Sequence, residues 1–169
     1  PDVDFRKPDQ VLCGLNEAFQ MEDHNDMFFT IWYGVYNKKT RELQYASGGH
    51  HPAILIEPTD AGGRNMMQLI SDGMLIGAMR GIKFNSGICT VKPGSRLYVF
   101  SDGVFEIPIK AKDGKMWNME EFFNLLNQPS VNDASNVTRL LGEVRNIQGR
   151  DEFNDDFSLL EIMFSSELS

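Results

Sequence analysis

The sequence predicts an α+β fold built on antiparallel sheets. Its 169 residues, 41% of them hydrophobic, are enough for one domain with a real core. One early helix is followed by short apolar segments separated by tight turns, and two more helices precede a last strand. This order lacks the βαβ alternation that builds parallel sheets, so we expect antiparallel pairing.

The first elements are a helix and a hairpin. Residues 8–19 place Pro8 at the first helical turn and align an apolar stripe through Leu12 and Leu15. Residues 27–36 are nearly all apolar and rich in strand formers, which predicts a central strand covered on both faces. A polar turn then leads into a return strand at residues 43–46.

The rest of the chain predicts further strands and two helices. Apolar segments bounded by glycine and proline turns predict strands at residues 53–56, 66–70, 82–91 and 97–100. Helical periodicity and a final apolar segment predict helices at 119–126 and 133–147 and a strand at 157–164.

Charge and cysteine content exclude several classes of protein. The formal net charge of −8 opposes non-specific binding to nucleic acid or anionic membrane and favours divalent cations or basic partners. No segment approaches the roughly 20 apolar residues of a membrane helix, and no signal peptide is visible. Cys13 and Cys89 have no metal-ligand spacing, so we expect reduced, buried thiols in a cytoplasmic protein.

Asp102 is the first candidate for chemistry. The apolar strand at 97–100 runs directly into Ser101-Asp102-Gly103, which places a carboxylate at the open end of a rigid element. Gly103 lets the backbone turn sharply or approach a ligand closely. The same tripeptide occurs at residues 71–73, so the pattern alone does not rank Asp102 above Asp72.

Asp155 and Asp156 lie directly before the final strand, as Asp102 lies directly after a central one. If the two strands are antiparallel neighbours, these carboxylates converge. Clustered aspartates bind Mg²⁺ or Mn²⁺, and two such ions about 3.5–4 Å apart activate water for attack on a phosphoryl group. The competing interpretation is an acidic pair in a solvated surface loop.

His50 is the third candidate, within Gly48-Gly49-His50-His51-Pro52. Adjacent histidines do not point the same way along an extended chain, so we expect no joint metal site. His50 alone can donate to phosphate or act as a general acid, or it can hold the loop through backbone hydrogen bonds. No G-x-S-x-G elbow or G-x-x-x-x-G-K-[ST] loop is present.

Four segments in register resemble the SpoIIE-like branch of the PPM family, the metal-dependent protein serine/threonine phosphatases. They are residues 27–36 (MFFTIWYGVY), 43–52 (LQYASGGHHP), 92–106 (KPGSRLYVFSDGVFE) and 155–160 (DDFSLL). The third segment is similar to the family pattern P-G-D-x-L-x-x-Y-T-D-G-V-x-E, and the fourth to its closing D-D-x-T-L-L.

The resemblance implies a PPM β-sandwich flanked by helices and hydrolysis of phosphoserine or phosphothreonine without a phosphoenzyme. It implies metal binding by Asp102 and Asp155, with Gly103 and Asp156 beside them, and two Mn²⁺ or Mg²⁺ ions in the complete domain. Asp72 matches no catalytic position of the family. His50 matches the loop histidine, for which a structural role is expected over a catalytic one.

One part of the family pattern has no match. The upstream G-D-x-x-D strand, with two further metal aspartates, and the D-x-x-G-H-G turn are absent from the sequence. We therefore expect residues 1–169 to form a single, partial phosphatase domain without the N-terminal strands and helix. The dinuclear site is then incomplete, and exposed sheet edges favour self-association.

Three functions remain as hypotheses. The first is part of a cytoplasmic bacterial signalling phosphatase that acts on a phosphoprotein such as an anti-sigma-factor antagonist. The second is a non-catalytic protein-binding module on the same scaffold. The third is an unrelated sandwich protein with acidic loops, which predicts that Asp102 and Asp155 lie far apart.

Overall fold

A computed structural model of the protein describes residues 3–111, 115–128 and 135–165. The chain divides into a first unit, residues 1–95 with 164–169, and a second unit, residues 96–163. All strand pairings within each unit are antiparallel, as predicted. Within the described ranges, every helix is too short or too polar to cross a membrane.

The first unit contains a three-stranded sheet, a hairpin and one helix. Its elements are α1 (Pro8–Ala18), β1 (Ile31–Asn37), β2 (Glu42–Gly48), β3 (Ala53–Pro58), β4 (Arg64–Leu69) and β5 (Gly87–Thr90). The sheet has the order β1-β2-β5, and β3 pairs with β4 from Ala53 opposite Leu69 to Pro58 opposite Arg64. The helix α1 packs on β2, where Leu12, Ala46, Ile76 and Phe84 form a buried cluster.

The predicted central strand at residues 27–36 is wrong in its start and in its position. The strand β1 begins at Ile31 and lies at the edge of its sheet, paired with β2 alone among the described strands. The preceding residues form only one bridge, between Phe29 and Ile76, while Met27 and Phe28 are exposed. Apolar composition indicates a strand, but only hydrogen-bonding partners decide whether it is central.

The predicted strand at residues 82–91 is wrong over its first half. The Ile82 carbonyl oxygen accepts a hydrogen bond from Cys13 Sγ of α1 at 3.8 Å instead of pairing with a neighbouring strand. Just before this region, Asn16 Nδ2 of α1 donates to the Met79 oxygen at 3.0 Å. Phe84 is buried against α1. Strand pairing therefore starts only at Gly87, opposite Tyr45 of β2.

The second unit contains one antiparallel pair of strands, far apart in the sequence, and two helices. Its elements are β6 (Arg96–Phe100), α2 (Met119–Leu126), α3 (Val137–Gln148) and β7 (Leu159–Met163). A capping box begins α2, because Asn118 Oδ1 accepts the Glu121 N–H and Glu121 accepts the Asn118 N–H. Of the helix predicted at 133–147, residues 133–134 lie outside the described ranges, and α3 begins at Val137.

The cysteines are free, as predicted, but neither is fully buried. Burial nevertheless raises the pKa of Cys89, and the nearby carboxylate of Glu57 adds to the effect. A raised thiol pKa lowers the thiolate fraction near neutral pH, so Cys89 is a poor nucleophile.

Candidate functional site

The strands that carry the predicted metal ligands are direct neighbours. In the second unit β6 and β7 pair in antiparallel register from Arg96 opposite Met163 to Phe100 opposite Leu159. The C-terminal end of β6 therefore lies beside the N-terminal end of β7, which places Asp102 next to the Asp155–Asp156 segment. This pairing meets the condition that the sequence argument required for the carboxylates to converge.

Ser101 joins the two segments beyond the last strand pair. Its backbone N–H donates to the Ser158 oxygen at 2.9 Å. Its hydroxyl donates to the Asp156 oxygen at 2.6 Å and accepts the Ser158 N–H at 2.9 Å. The sequence argument concerns the aspartate and the glycine of the tripeptide and does not identify this serine. A hydroxyl directly before the aspartate, at a strand end, was the available signal.

Gly103 allows the closest approach between the segments. The chain turns through one 3₁₀ turn at Asp102–Val104. A Cβ atom at Gly103 would lie 2.5 Å from the Asp156 carbonyl oxygen, which is well inside van der Waals contact. The tripeptide therefore requires glycine here because any side chain would push the two acidic segments apart.

The carboxylates of Asp102 and Asp155 each have one oxygen that accepts a hydrogen bond and one that is available. Asp102 Oδ1 accepts the Gly103 N–H at 3.0 Å, and Asp155 Oδ1 accepts the Asp156 N–H at 2.8 Å. Among the described residues, the second oxygen of each receives no hydrogen bond. Asp102, Asp155 and Asp156 are exposed, so their carboxylates are accessible to a hydrated cation.

These residues fit only part of a divalent-metal site. Carboxylate and carbonyl oxygens are the correct donors for Mn²⁺ or Mg²⁺. However, within the described ranges no group of three or more His, Cys, Asp or Glu side chains is arranged to hold a metal ion. The site residues of this chain thus provide an incomplete donor set.

A buried polar network lies on the same two strands. The Glu161 side chain is 1% exposed and accepts hydrogen bonds from Arg96 Nη1 and Tyr98 Oη, both at 2.7 Å. Asn136, before the first turn of α3, donates its backbone N–H to Glu161 at 2.8 Å and its side-chain amide to Tyr98 Oη at 3.0 Å. The network thereby joins the β6–β7 strand pair to the start of α3.

The network shifts the pKa values of its members. Burial raises the pKa of Tyr98 to about 12, and the hydrogen bond to the Glu161 carboxylate adds to this rise. Burial also acts to raise the pKa of Glu161, but hydrogen bonds from Ser135, Tyr98, Arg96 and Asn136 outweigh it and lower the pKa overall. Neutral Tyr98 and ionised Glu161 are therefore the stable pair at neutral pH.

His50 lies in the first unit, in a loop held by its own hydrogen bonds. Its Nδ1 is 2.7 Å from the His51 carbonyl oxygen, and the Ser47 hydroxyl donates to the His50 oxygen at 2.6 Å. The Gly49 N–H donates to the Gly73 oxygen at 3.0 Å. His50 and Asp72 line one pocket of about 260 Å³. The structure thus pairs the second Ser-Asp-Gly copy with the glycine-rich loop.

The comparison with family models identifies the class of protein. The model for stage II sporulation protein E (SpoIIE) matches residues 2–165. The chain therefore belongs to the SpoIIE family, the SpoIIE-like branch of the PPM phosphatases, as the resemblance of the four segments predicted. The hypothesis of an unrelated sandwich protein is wrong.

Particular relatives agree with this assignment. Phosphoserine phosphatase RsbU of Bacillus subtilis (strain 168) is 29% identical over 99 residues, which are 59% of this chain and 29% of RsbU. The SiaA-PP2C domain of Pseudomonas aeruginosa superposes with a TM-score of 0.71 at 16% identity, over 95% of this chain and 62% of that one.

Two further solved structures share the fold. The RsbU and RsbW domains of Rv1364c from Mycobacterium tuberculosis match with a TM-score of 0.67 at 20% identity, over 93% of this chain and 42% of that one. The Mn-presoaked phosphatase domain of SpoIIE from Bacillus subtilis matches with a TM-score of 0.60 at 16% identity, over 82% of this chain and 57% of that one. The chain thus spans less than two thirds of each relative.

Proposed function

We propose that the protein hydrolyses phosphoserine or phosphothreonine on a bacterial signalling protein in a reaction that depends on Mn²⁺ or Mg²⁺. Membership of the SpoIIE family supports the reaction class. The observation that carries the proposal is the β6–β7 pairing, which brings Asp102 beside Asp155 and Asp156. We further propose that residues 1–169 form one partial phosphatase domain.

In this proposal each site residue has a defined role. The available oxygens of Asp102 and Asp155 bind the metal, with Asp156 and the Gly103 carbonyl beside them. Bound ions of this kind activate water and neutralise phosphoryl charge. Ser101 and Gly103 keep the acidic segments together, and His50 holds its loop. The remaining metal ligands would come from outside the described residues.

The partner is proposed to be a phosphoprotein of the anti-sigma-factor-antagonist type in the cytoplasm. The neighbour from Mycobacterium tuberculosis, which contains an RsbU and an RsbW domain, supports this context.

Self-association through a sheet edge is a second proposal. The strand β7 pairs with β6 alone among the described strands, and its Leu160, Ile162 and Met163 are exposed. We propose no nucleic-acid or membrane partner.

Phosphatase assays with a phosphoserine peptide and Mn²⁺ test the proposal. Asp102→Asn should lower kcat/KM at least about 100-fold, since even residues outside the metal's direct ligands cost 10- to 100-fold. Asp72→Asn is the matched control, because it makes the same change in the other Ser-Asp-Gly copy, and it should retain activity. Equal activity of Asp102→Asn and the wild type would refute the role of Asp102.

The alternative is a non-catalytic module that binds a protein partner on a phosphatase scaffold. The absence of a three-ligand cluster among the described residues favours it. Calorimetry of the longest available form of the protein with Mn²⁺ separates the two functions. Metal binding that is lost in Asp102→Asn supports the enzyme, whereas no metal binding together with retained partner affinity supports the module.

A further inference from the structure

A basic pocket lies at the C-terminal end of α3, within the second unit. It has a volume of about 320 Å³ and is lined by Lys110, Arg145, Asn146, Gly149, Arg150 and Asp151. Three cationic side chains from two chain segments, Lys110 from one and Arg145 and Arg150 from the other, thus share one concave surface with a single carboxylate. This concentration of positive charge contrasts with the net charge of −8 of the whole chain.

None of the three cations is neutralised by a carboxylate within the described ranges. The ion pairs found there involve Arg6, Arg80, Lys92, Arg96 and Lys115, and none includes Lys110, Arg145 or Arg150. Like charges held near one another repel, and an anion bound among them would replace that repulsion by attraction.

The pocket wall is held by specific contacts. Gly149 ends α3 at φ +74°, and a Cβ there would overlap the side chain of Lys110, so the lysine stem lies across the helix end. The Lys110 N–H donates to the Ile147 oxygen at 2.9 Å. The buried side chain of Gln148 donates to the Arg150 oxygen at 2.8 Å and to the Glu152 oxygen at 3.1 Å.

The end of the helix offers few free carbonyl groups to the three cations. Cations at a helix C-terminus commonly interact with its unpaired carbonyl groups. Here the Arg145 oxygen already accepts the Gly149 N–H at 2.7 Å, and the Ile147 oxygen accepts the Lys110 N–H. Backbone groups therefore satisfy two of the last four carbonyls.

One cation of the pocket contacts the loop that carries the acidic segment of the candidate site. The Arg145 guanidinium lies 5.9 Å from the centroid of the Phe153 ring. Phe153 stacks on Phe157 at 4.4 Å between centroids, and Asp155 and Asp156 lie between these two residues in the chain. The loop that carries two proposed metal ligands is therefore packed directly on one cation of the pocket.

We propose that this pocket binds a phosphate-type oxyanion through Lys110, Arg145 and Arg150. Arginine guanidinium groups match the geometry of phosphate oxygens, and lysine adds a point charge. The ligand is either free inorganic phosphate or a phosphoryl group carried by a protein. The proposal does not depend on catalysis by Asp102, so it stands or falls separately from the proposed function.

Titration with inorganic phosphate, followed by the NMR amide shifts of residues 149–151, tests the site. Lys110→Gln and Arg150→Gln should each weaken phosphate binding about tenfold, the loss expected for one charge-assisted hydrogen bond. Lys38→Gln is the matched control, because it removes one charge from the turn between β1 and β2, and it should bind as the wild type does. Circular dichroism checks that each variant is folded.

Two further titrations test the charge dependence and the source of the phosphate group. Raising NaCl from 50 to 300 mM should weaken binding to the wild type, since salt screens exposed charges. A phosphoserine peptide that shifts the same amides assigns the site to protein-borne phosphoryl groups, and phosphate alone assigns it to the free ion. Shifts that are absent, or that persist unchanged in both pocket variants, would overturn the proposal.

Discussion

Replacing Glu161 by glutamine should destabilise the second unit strongly. All the partners identified for this carboxylate are donors: Arg96 and Tyr98 on Oε1, the Asn136 N–H on Oε2, and the Ser135 side chain. Glutamine must place its NH₂ group at one of these two oxygen positions, where it faces Arg96 or a backbone N–H that cannot rotate away. Glu161→Gln therefore removes a charge and also creates a donor–donor conflict.

The expected loss follows from burial. Breaking a buried ion pair by removing one partner costs roughly 3–5 kcal/mol. Glu161 is 1% exposed but Arg96 is 15% exposed, so part of the Arg96 charge can be resolvated. We therefore expect a decrease of about 3 kcal/mol in the free energy of unfolding, at the lower end of that range.

Urea unfolding measures this loss. Trp117 lies in the second unit and Trp32 in the first, so fluorescence in a Trp32→Phe background reports on the second unit alone. Glu143→Gln makes the same chemical change at an exposed position of α3 and should alter stability by less than about 0.5 kcal/mol. Equal effects of the two substitutions would refute the network argument.

Three further predictions concern the same unit. The pKa of Tyr98 is raised from 10.0 to about 12, so the stability that it provides is present below pH 10 and is lost between about pH 10 and 12; the loss is about 2–3 kcal/mol. Tyr98→Phe should reduce the fall in the free energy of unfolding between about pH 10 and 12, and an unchanged fall would contradict the assignment. The pKa of Glu161 is lowered, so the stability that its ionised form provides is present above 4.5, its pKa in the unfolded chain, and is lost as the pH falls through the lower pKa of the folded protein. Glu161→Gln should remove this loss of stability at acid pH in the same urea titrations. Gly103→Ala should cost about 1–3 kcal/mol, because its Cβ would overlap the Asp156 carbonyl oxygen. Gly142→Ala is its control, since its Cβ meets no atom within 4 Å on α3, and it should stabilise by about 0.5–1 kcal/mol.

Local patterns in the sequence were sufficient for most elements. The boundaries of α1 and α2 follow from Pro8, an apolar stripe and the Asn118–Glu121 capping box, all of which act within one or two helical turns. The hairpin of β1 and β2 follows from its turn. In contrast, the extent of β5 was overestimated because Ile82 and Phe84 are apolar for packing on α1, not for strand pairing.

Some residues of the candidate site could likewise be identified from the sequence, and others only from the structure. The sequence singled out Asp102, Gly103 and the Asp155–Asp156 pair because each lies at the end of an apolar strand. It did not identify Ser101 or Glu161 as partners, since their contacts are distant in the sequence. Ser101 bonds Asp156, 55 positions away, and Glu161 bonds Asn136, 25 positions away. Polar side chains in a strand carry no local sign of what they bond.

The fold class, the family and the acidic residues at the two strand ends were determined by the sequence alone, because they depend on periodicity and short motifs. Tertiary structure decided which strands are neighbours, and thereby that Asp102 lies beside Asp155. It also decided which charges meet: Glu161 is neutralised by Arg96 inside the second unit, whereas Lys110, Arg145 and Arg150 converge without an ion pair to any carboxylate among the described residues. The physical reason is that charge and hydrogen-bond pairing act through space over a few ångströms, and distance along the chain does not encode that separation.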